Sequence, residues 1–165
     1  MQQKTLVSWL KAIIIIFGIL LATLLFAVLP TAGIKLIGTM PEIAFLYWPC
    51  LIFSWLFGTP IFLMLMEAWR VCQRIGSGQP FCPDNARSFV TLCQNSLIAC
   101  GILLAGNIGL IIVSTVTGLT VYPIVIPIFS MLLIFVGLAV AVASATLSHL
   151  IYKASDINEE NQLTI

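Results

Sequence analysis

The chain has 165 residues, of which 61% are hydrophobic and only 8% are charged. Soluble domains carry about 25% charged residues, so this composition excludes a water-soluble fold and predicts a surface covered mainly by lipid. The formal net charge of +1 gives no electrostatic footprint for nucleic acid, whose binding normally needs a clustered basic patch.

The first apolar segment predicts a transmembrane helix over residues 12–29, which contain no charged side chain. A cleaved signal peptide is the alternative, because Lys4 and Lys11 precede the apolar run. Signal peptides usually have an apolar core of about 7 to 15 residues. The longer run here favours a retained helix.

The second predicted span covers residues 43–66 and is flanked by tryptophans. Trp48 and Trp69 are twenty-one residues apart, which is about 31 Å of helix. This length matches the roughly 30 Å hydrocarbon layer, with one tryptophan at each interface.

A long uncharged region follows, since residues 88–152 contain no Asp, Glu, Lys or Arg. One helix of that length would measure about 98 Å, so the region must fold back on itself. Gly118 and Pro123 favour a turn over residues 117–123. We therefore expect a third span over residues 96–116 and a fourth over residues 124–147.

The expected fold is all-α: a single domain over residues 1–165 that forms an integral membrane four-helix bundle. Basic residues indicate its orientation, because one end of the four-span arrangement carries six of them and the other carries only Lys35. The six are Lys4, Lys11, Arg70, Arg74, Arg87 and Lys153. The positive-inside rule then places both termini, loop 67–95 and tail 148–165 in the cytoplasm.

Small residues suggest how the last two spans pack, because close backbone contact drives helix association in lipid. A four-residue spacing relates the small residues within each span. They are Gly101, Ala105 and Gly109 in the third span and Gly137, Ala141 and Ala145 in the fourth. An antiparallel hairpin would set Gly101 level with Ala145 and Gly109 level with Gly137.

The loop between the second and third spans holds the most distinctive polar residues. Glu67 and Arg70 are spaced to form an ion pair on one helix face. Gly76, Gly78 and Pro80 should end the second helix, and Asn85 can hydrogen-bond back into the turn. We expect a tightly built elbow, with Phe81 placed for the lipid interface, the base of the bundle or a partner protein.

Two short motifs in the chain are distinctive: Gly78-Gln79-Pro80-Phe81 followed by Asn85, and the ending Glu159-Glu160-Asn161-Gln162-Leu163-Thr164-Ile165. Both are similar to motifs of a bacterial family of four-span membrane proteins, domain-of-unknown-function family 2975. Cys82 stands where the family usually has Ser or Thr. The resemblance implies no established activity. It implies a multi-pass protein of the bacterial cytoplasmic membrane, and some members are encoded beside small helix-turn-helix regulators.

The remaining polar residues predict no catalytic, metal or cofactor site. Asn107, in the middle of a span, should hydrogen-bond a neighbouring helix, with a ligand contact as the alternative. His149 has no cysteine or carboxylate at ligand spacing, so an interfacial position is expected. We expect no enzyme activity, because catalysis needs positioned acids, bases or metals.

Interaction is the leading functional hypothesis, with a cytoplasmic regulatory protein as the partner. The loop and the tail residues Leu163 and Ile165 would make the contacts. A second copy of the chain is a further candidate partner. The alternative function is a subunit of a small-solute transporter or channel, whose lining would use hydroxyls such as Ser114 and Thr115.

Overall fold

The computed structural model describes the backbone of residues 2–118 and 125–163, and the side chains of residues 5–118 and 127–157. Four long apolar helical segments in these ranges could each cross a membrane. The chain first forms α1 (Gln2–Thr23), a π-helical turn (Leu24–Val28) and α2 (Leu29–Thr39). A 3₁₀ turn (Pro41–Leu46) leads into α3 (Tyr47–Gly76), followed by α4 (Pro83–Thr117) and α5 (Val125–Leu163). The expected all-α membrane fold is confirmed.

The first span packs antiparallel on α3 along its whole length. Gly18 lies beside Leu65, and further along Gly58 leaves room for the Leu25 side chain. Beyond the π turn, Gly33 lies against the ring of Tyr47. The two helices therefore run past each other as one long hairpin, with its bend near Met40.

The π turn frees one backbone carbonyl for a contact between the helices. The Leu29 N–H donates to the carbonyl of Leu24 instead of that of Leu25. The Leu25 carbonyl can then accept a hydrogen bond of 3.3 Å from the indole Nε1 of Trp55. Pro30, which lacks an N–H, follows directly and favours such an interruption of the α-helical pattern.

Short polar contacts join α4 to α5. The Ser96 hydroxyl donates to the carbonyl of Gly137 at 2.7 Å, and the Ser130 hydroxyl donates to Asn107 Oδ1 at 2.9 Å. The Cys100 thiol lies 3.6 Å from the carbonyl of Ile134. The predicted bond from Asn107 to a neighbouring helix is thus confirmed.

The predicted register of the α4–α5 hairpin is wrong. A Cβ added to Gly101 or Gly109 would meet no neighbouring atom within 4 Å, and Ala105 and Ala145 are exposed. Gly137 faces Ser96 and Cys100, and Ala141 is buried. The face of α4 that meets α5 carries Ser96, Cys100 and Asn107. This face is rotated about the helix axis by one residue, or about 100°, from the predicted stripe.

Each spanning segment packs closely only on its neighbour in the chain. Within the described ranges, α1 approaches α3, α3 approaches α4 and α4 approaches α5, but neither α1 nor α3 approaches α5. The accessible surface of 11,200 Å² exceeds the roughly 8,000 Å² expected for a compact soluble monomer of this mass. The bundle is therefore open, with wide apolar faces available to lipid.

Antiparallel packing brings both ends of the described chain to the same end of the bundle. Lys11 lies over Trp69, and Arg74 contacts the first turns of α4. We call this the basic end. Lys35, in α2, lies at the opposite end. α4 ends at Thr117 with Gly118 (φ +64°) as its cap, within the predicted turn, and the rest of that turn, including Pro123, lies outside the described residues.

Candidate interaction site at the elbow between α3 and α4

The elbow, residues 76–83, begins with a Schellman motif that closes α3. The N–H of Gln79 donates to the carbonyl of Arg74, and the N–H of Gly78 donates to that of Ile75, both at 3.1 Å. Gly78 has φ +83°, a left-handed conformation that costs a residue with a Cβ about 1 kcal/mol or more. The helix thus ends at Gly76, and Gly78 takes the left-handed position of the motif that closes it, as the glycines and Pro80 predicted.

Asn85 holds the two sides of the elbow together. Its side-chain amide Nδ2 donates to the carbonyl of Pro80 at 2.9 Å and to that of Gln79 at 3.3 Å. Its own N–H donates to the carbonyl of Cys82 at 2.9 Å. Asn85 is 1% exposed and so serves as the polar core of the loop, which confirms the predicted bond back into the turn.

Arg74 joins this core from the last turn of α3. Its Nη1 donates to the Ser88 hydroxyl at 2.9 Å, the Asp84 carbonyl at 3.1 Å and Asn85 Oδ1 at 3.3 Å. One guanidinium nitrogen thus connects α3 to the first turns of α4. From the sequence, Arg74 is predicted only as one of the six basic residues that indicate the orientation. A basic residue in the last turn of α3, shortly before Gly78, was the available clue to this role.

Two ion pairs flank the polar core. Arg70 pairs with Glu67, as their spacing predicted. Arg87 lies 3.7 Å from Asp84, with both side chains more than half exposed. Exposed pairs of this kind contribute little to stability. The hydrogen bonds around Asn85, including those from the Arg74 guanidinium, therefore do more than the exposed Arg87–Asp84 pair to fix the shape of the elbow.

Phe81 projects from this fixed loop. It is 61% exposed, so it is not docked into the base of the bundle. Pro80 is half-buried below it, and its carbonyl is held by Asn85. Among the predicted loop residues, the structure thus brings Gly78, Pro80 and Asn85 together as a scaffold and leaves Phe81 outside it.

The other predicted residues lie apart from the elbow. Leu163 is the last described residue of α5, without a described side chain, and Ile165 lies outside the described residues. His149 is exposed, and the described residues contain no group of three potential metal ligands. The Thr115 hydroxyl donates to the carbonyl of Ile112 in its own helix at 2.8 Å.

The comparisons with known proteins give one match. The model of the family described as "Protein of unknown function (DUF2975)" matches residues 31–165. No curated protein and no solved structure matches the chain. The match includes the elbow and three of the four spanning segments completely. The chain therefore belongs to the DUF2975 family of proteins of unknown function.

Proposed function

We propose that the protein is a membrane-bound partner of a cytoplasmic regulatory protein and that the elbow is its docking element. The observation that carries this proposal is the contrast between the exposed side chain of Phe81 and the fixed backbone of the loop that bears it. A large apolar side chain is 61% exposed on a loop whose backbone carbonyls are held by the buried Asn85. A rigid loop loses little conformational entropy on binding, which favours its use as an anchor.

The distance of the elbow from the hydrocarbon layer supports docking of a water-soluble protein. Gly76 lies seven residues beyond Trp69, which is about 10 Å of helix. The headgroup layer on each side of the hydrocarbon is about 5 to 8 Å thick. If Trp69 marks the edge of the hydrocarbon, the elbow extends to the outer limit of the headgroups. A soluble protein can reach Phe81 there.

The positive-inside rule and the family resemblance support the choice of partner. Arg74, Arg87 and Lys153 at the basic end favour a cytoplasmic location for the elbow. Relatives encoded beside small helix-turn-helix regulators suggest a regulator as the partner. Such a protein would provide an apolar pocket for the ring of Phe81.

Site-specific photocrosslinking in native membranes tests the proposal. A benzophenone amino acid at Phe81 should form an adduct with one soluble protein, identified by mass spectrometry as a regulator. The same amino acid at Leu56, which is 56% exposed in the spanning part of α3, is the matched control and should label lipid. Lipid adducts alone at both positions would refute docking through the elbow.

A second arm tests whether the shape of the elbow matters. Asn85→Ala removes the amide that holds the carbonyls of Gln79 and Pro80. We expect it to lower the yield of the Phe81 adduct, whereas Gln94→Ala, a change to an exposed amide of the same helix, should leave the yield unchanged. An equal yield in both variants would mean that the contact does not depend on the fixed loop.

A further inference from the structure

A groove between α1 and α3 runs from the basic end into the spanning region. Its volume is about 420 Å³, and Gly18 opens its wall because no side chain projects there. The deeper part is apolar and is lined by Ile14, Gly18, Phe62 and Leu65. Its mouth is lined by Trp69, Arg70 and Gln73.

The mouth of this groove carries positive charge beside Trp69, the residue that the sequence predicts at the membrane interface. The ammonium of Lys11 lies 5.2 Å from the centre of the Trp69 ring. In the described part of the chain, no carboxylate lies within ion-pair distance of Lys11, whereas Glu67 already neutralises Arg70. Lys11, Arg70 and Glu67 therefore leave a net charge of +1 beside the amide of Gln73.

We propose that this groove binds one anionic phospholipid. An acyl chain lies along the apolar wall, and the phosphodiester lies between Lys11 and Arg70. Lipid tails would cover the groove in any bilayer, but the unneutralised Lys11 favours an anionic headgroup over a zwitterionic one. A basic residue near an anionic lipid surface contributes about five-fold in affinity, equivalent to about 1 kcal/mol.

Native mass spectrometry of the full chain in detergent tests this site. Titration with dioleoylphosphatidylglycerol and dioleoylphosphatidylcholine should show one anionic lipid bound about five-fold more tightly than the zwitterionic lipid. Glycerol phosphate, which has the headgroup charge but no tails, should not compete. Equal affinity for the two lipids, or full competition by glycerol phosphate, would overturn the proposal.

Variants separate the two parts of the site. Lys11→Gln should abolish most of the preference for the anionic lipid, whereas Arg87→Gln, which removes an exposed charge on α4 at the same end, should preserve it. Gly18→Leu should fill the groove and weaken binding of both lipids. Equal loss in Lys11→Gln and Arg87→Gln would indicate general surface charge and refute a specific groove. Unchanged binding in Gly18→Leu would refute the acyl-chain position.

Thermal unfolding without added lipid checks that these variants fold. The position of a Cβ on Gly18 is 4.0 Å from Leu65, an ordinary contact, so the helix has room for a side chain. If Gly18→Leu nevertheless fails to fold, Gly18→Ala replaces it and should weaken both lipids to a smaller extent. An affinity for both lipids equal to that of the wild type would then count against the groove.

Discussion

Asn85 stabilises the elbow because it is the buried group on which both sides of the loop converge. Replacement by alanine leaves the carbonyls of Gln79 and Pro80 without this donor and Arg74 without one acceptor. A buried hydrogen bond contributes about 0.5 to 1.5 kcal/mol. We expect Asn85→Ala to reduce the free energy of unfolding by about 2 kcal/mol, measured by denaturant titration in detergent micelles.

The control for this change is Gln94→Ala, which alters an exposed amide of the same helix. It should shift the unfolding free energy by less than about 0.5 kcal/mol. Similar losses in the two variants would mean that Asn85 has no special structural role.

Gly78 makes a separate contribution through its backbone conformation. A Cβ added there meets no atom within 4 Å, so a substitution is opposed by the positive φ alone. We expect Gly78→Ala to destabilise the protein by about 1 kcal/mol. Gly38→Ala, at an uncrowded helical position of α2, should be neutral or slightly stabilising in the same titration. A larger loss of stability in Gly38→Ala than in Gly78→Ala would exclude the left-handed turn at Gly78.

At the scale of helices, Gly137 and Gly101 distinguish the observed α4–α5 register from the predicted one. A Cβ on Gly137 would lie 2.5 Å from the sulfur of Cys100, whereas one on Gly101 meets nothing within 4 Å. We expect Gly137→Ala to cost about 1 to 3 kcal/mol through overpacking. Gly101→Ala should stabilise α4 by a few tenths of a kcal/mol or leave it unchanged.

Thermal unfolding of the two alanine variants in detergent measures this difference. A larger loss in Gly101→Ala would support the register in which Gly101 faces Ala145. Equal effects would mean that neither glycine lies at a close helix contact.

The number of spans was predictable because uncharged length is a strong signal in a membrane protein, but the register was not. A four-residue spacing defines a stripe along a helix without indicating which stripe faces the neighbour. Gly101 and Cys100 are adjacent in sequence and lie on different faces, and only the contact with Gly137 selects between them. Gly106 was overlooked for the same reason, although Phe53 of α3 packs against it.

The candidate site was predictable where its bonds are local. The positive φ of Gly78 and the return of Asn85 to the loop follow from residues a few positions apart. Arg74 bonds to Ser88 across fourteen residues and two helices. That contact depends on how α3 and α4 pack, which no local pattern encodes.

Four antiparallel spanning segments predict that both termini lie on the same side of the bilayer. We expect reporter fusions after Ile165 and before Met1 to give cytoplasmic signals, as the six basic residues at that end predict. A cysteine-reactive, membrane-impermeant reagent should label a cysteine introduced at Lys35 from the other side. Reporters in opposite compartments would contradict an even number of crossings.

Packing confined to chain neighbours also has a consequence for biogenesis. Each spanning segment packs on the segment before it, so α3 can pair with the first segment as soon as it leaves the insertion machinery, and α4 and α5 can follow in turn. No early helix must wait for the end of synthesis to find its partner. Such short-range topology favours rapid assembly during translation. A chain truncated after Thr117 should accordingly keep the first three segments paired.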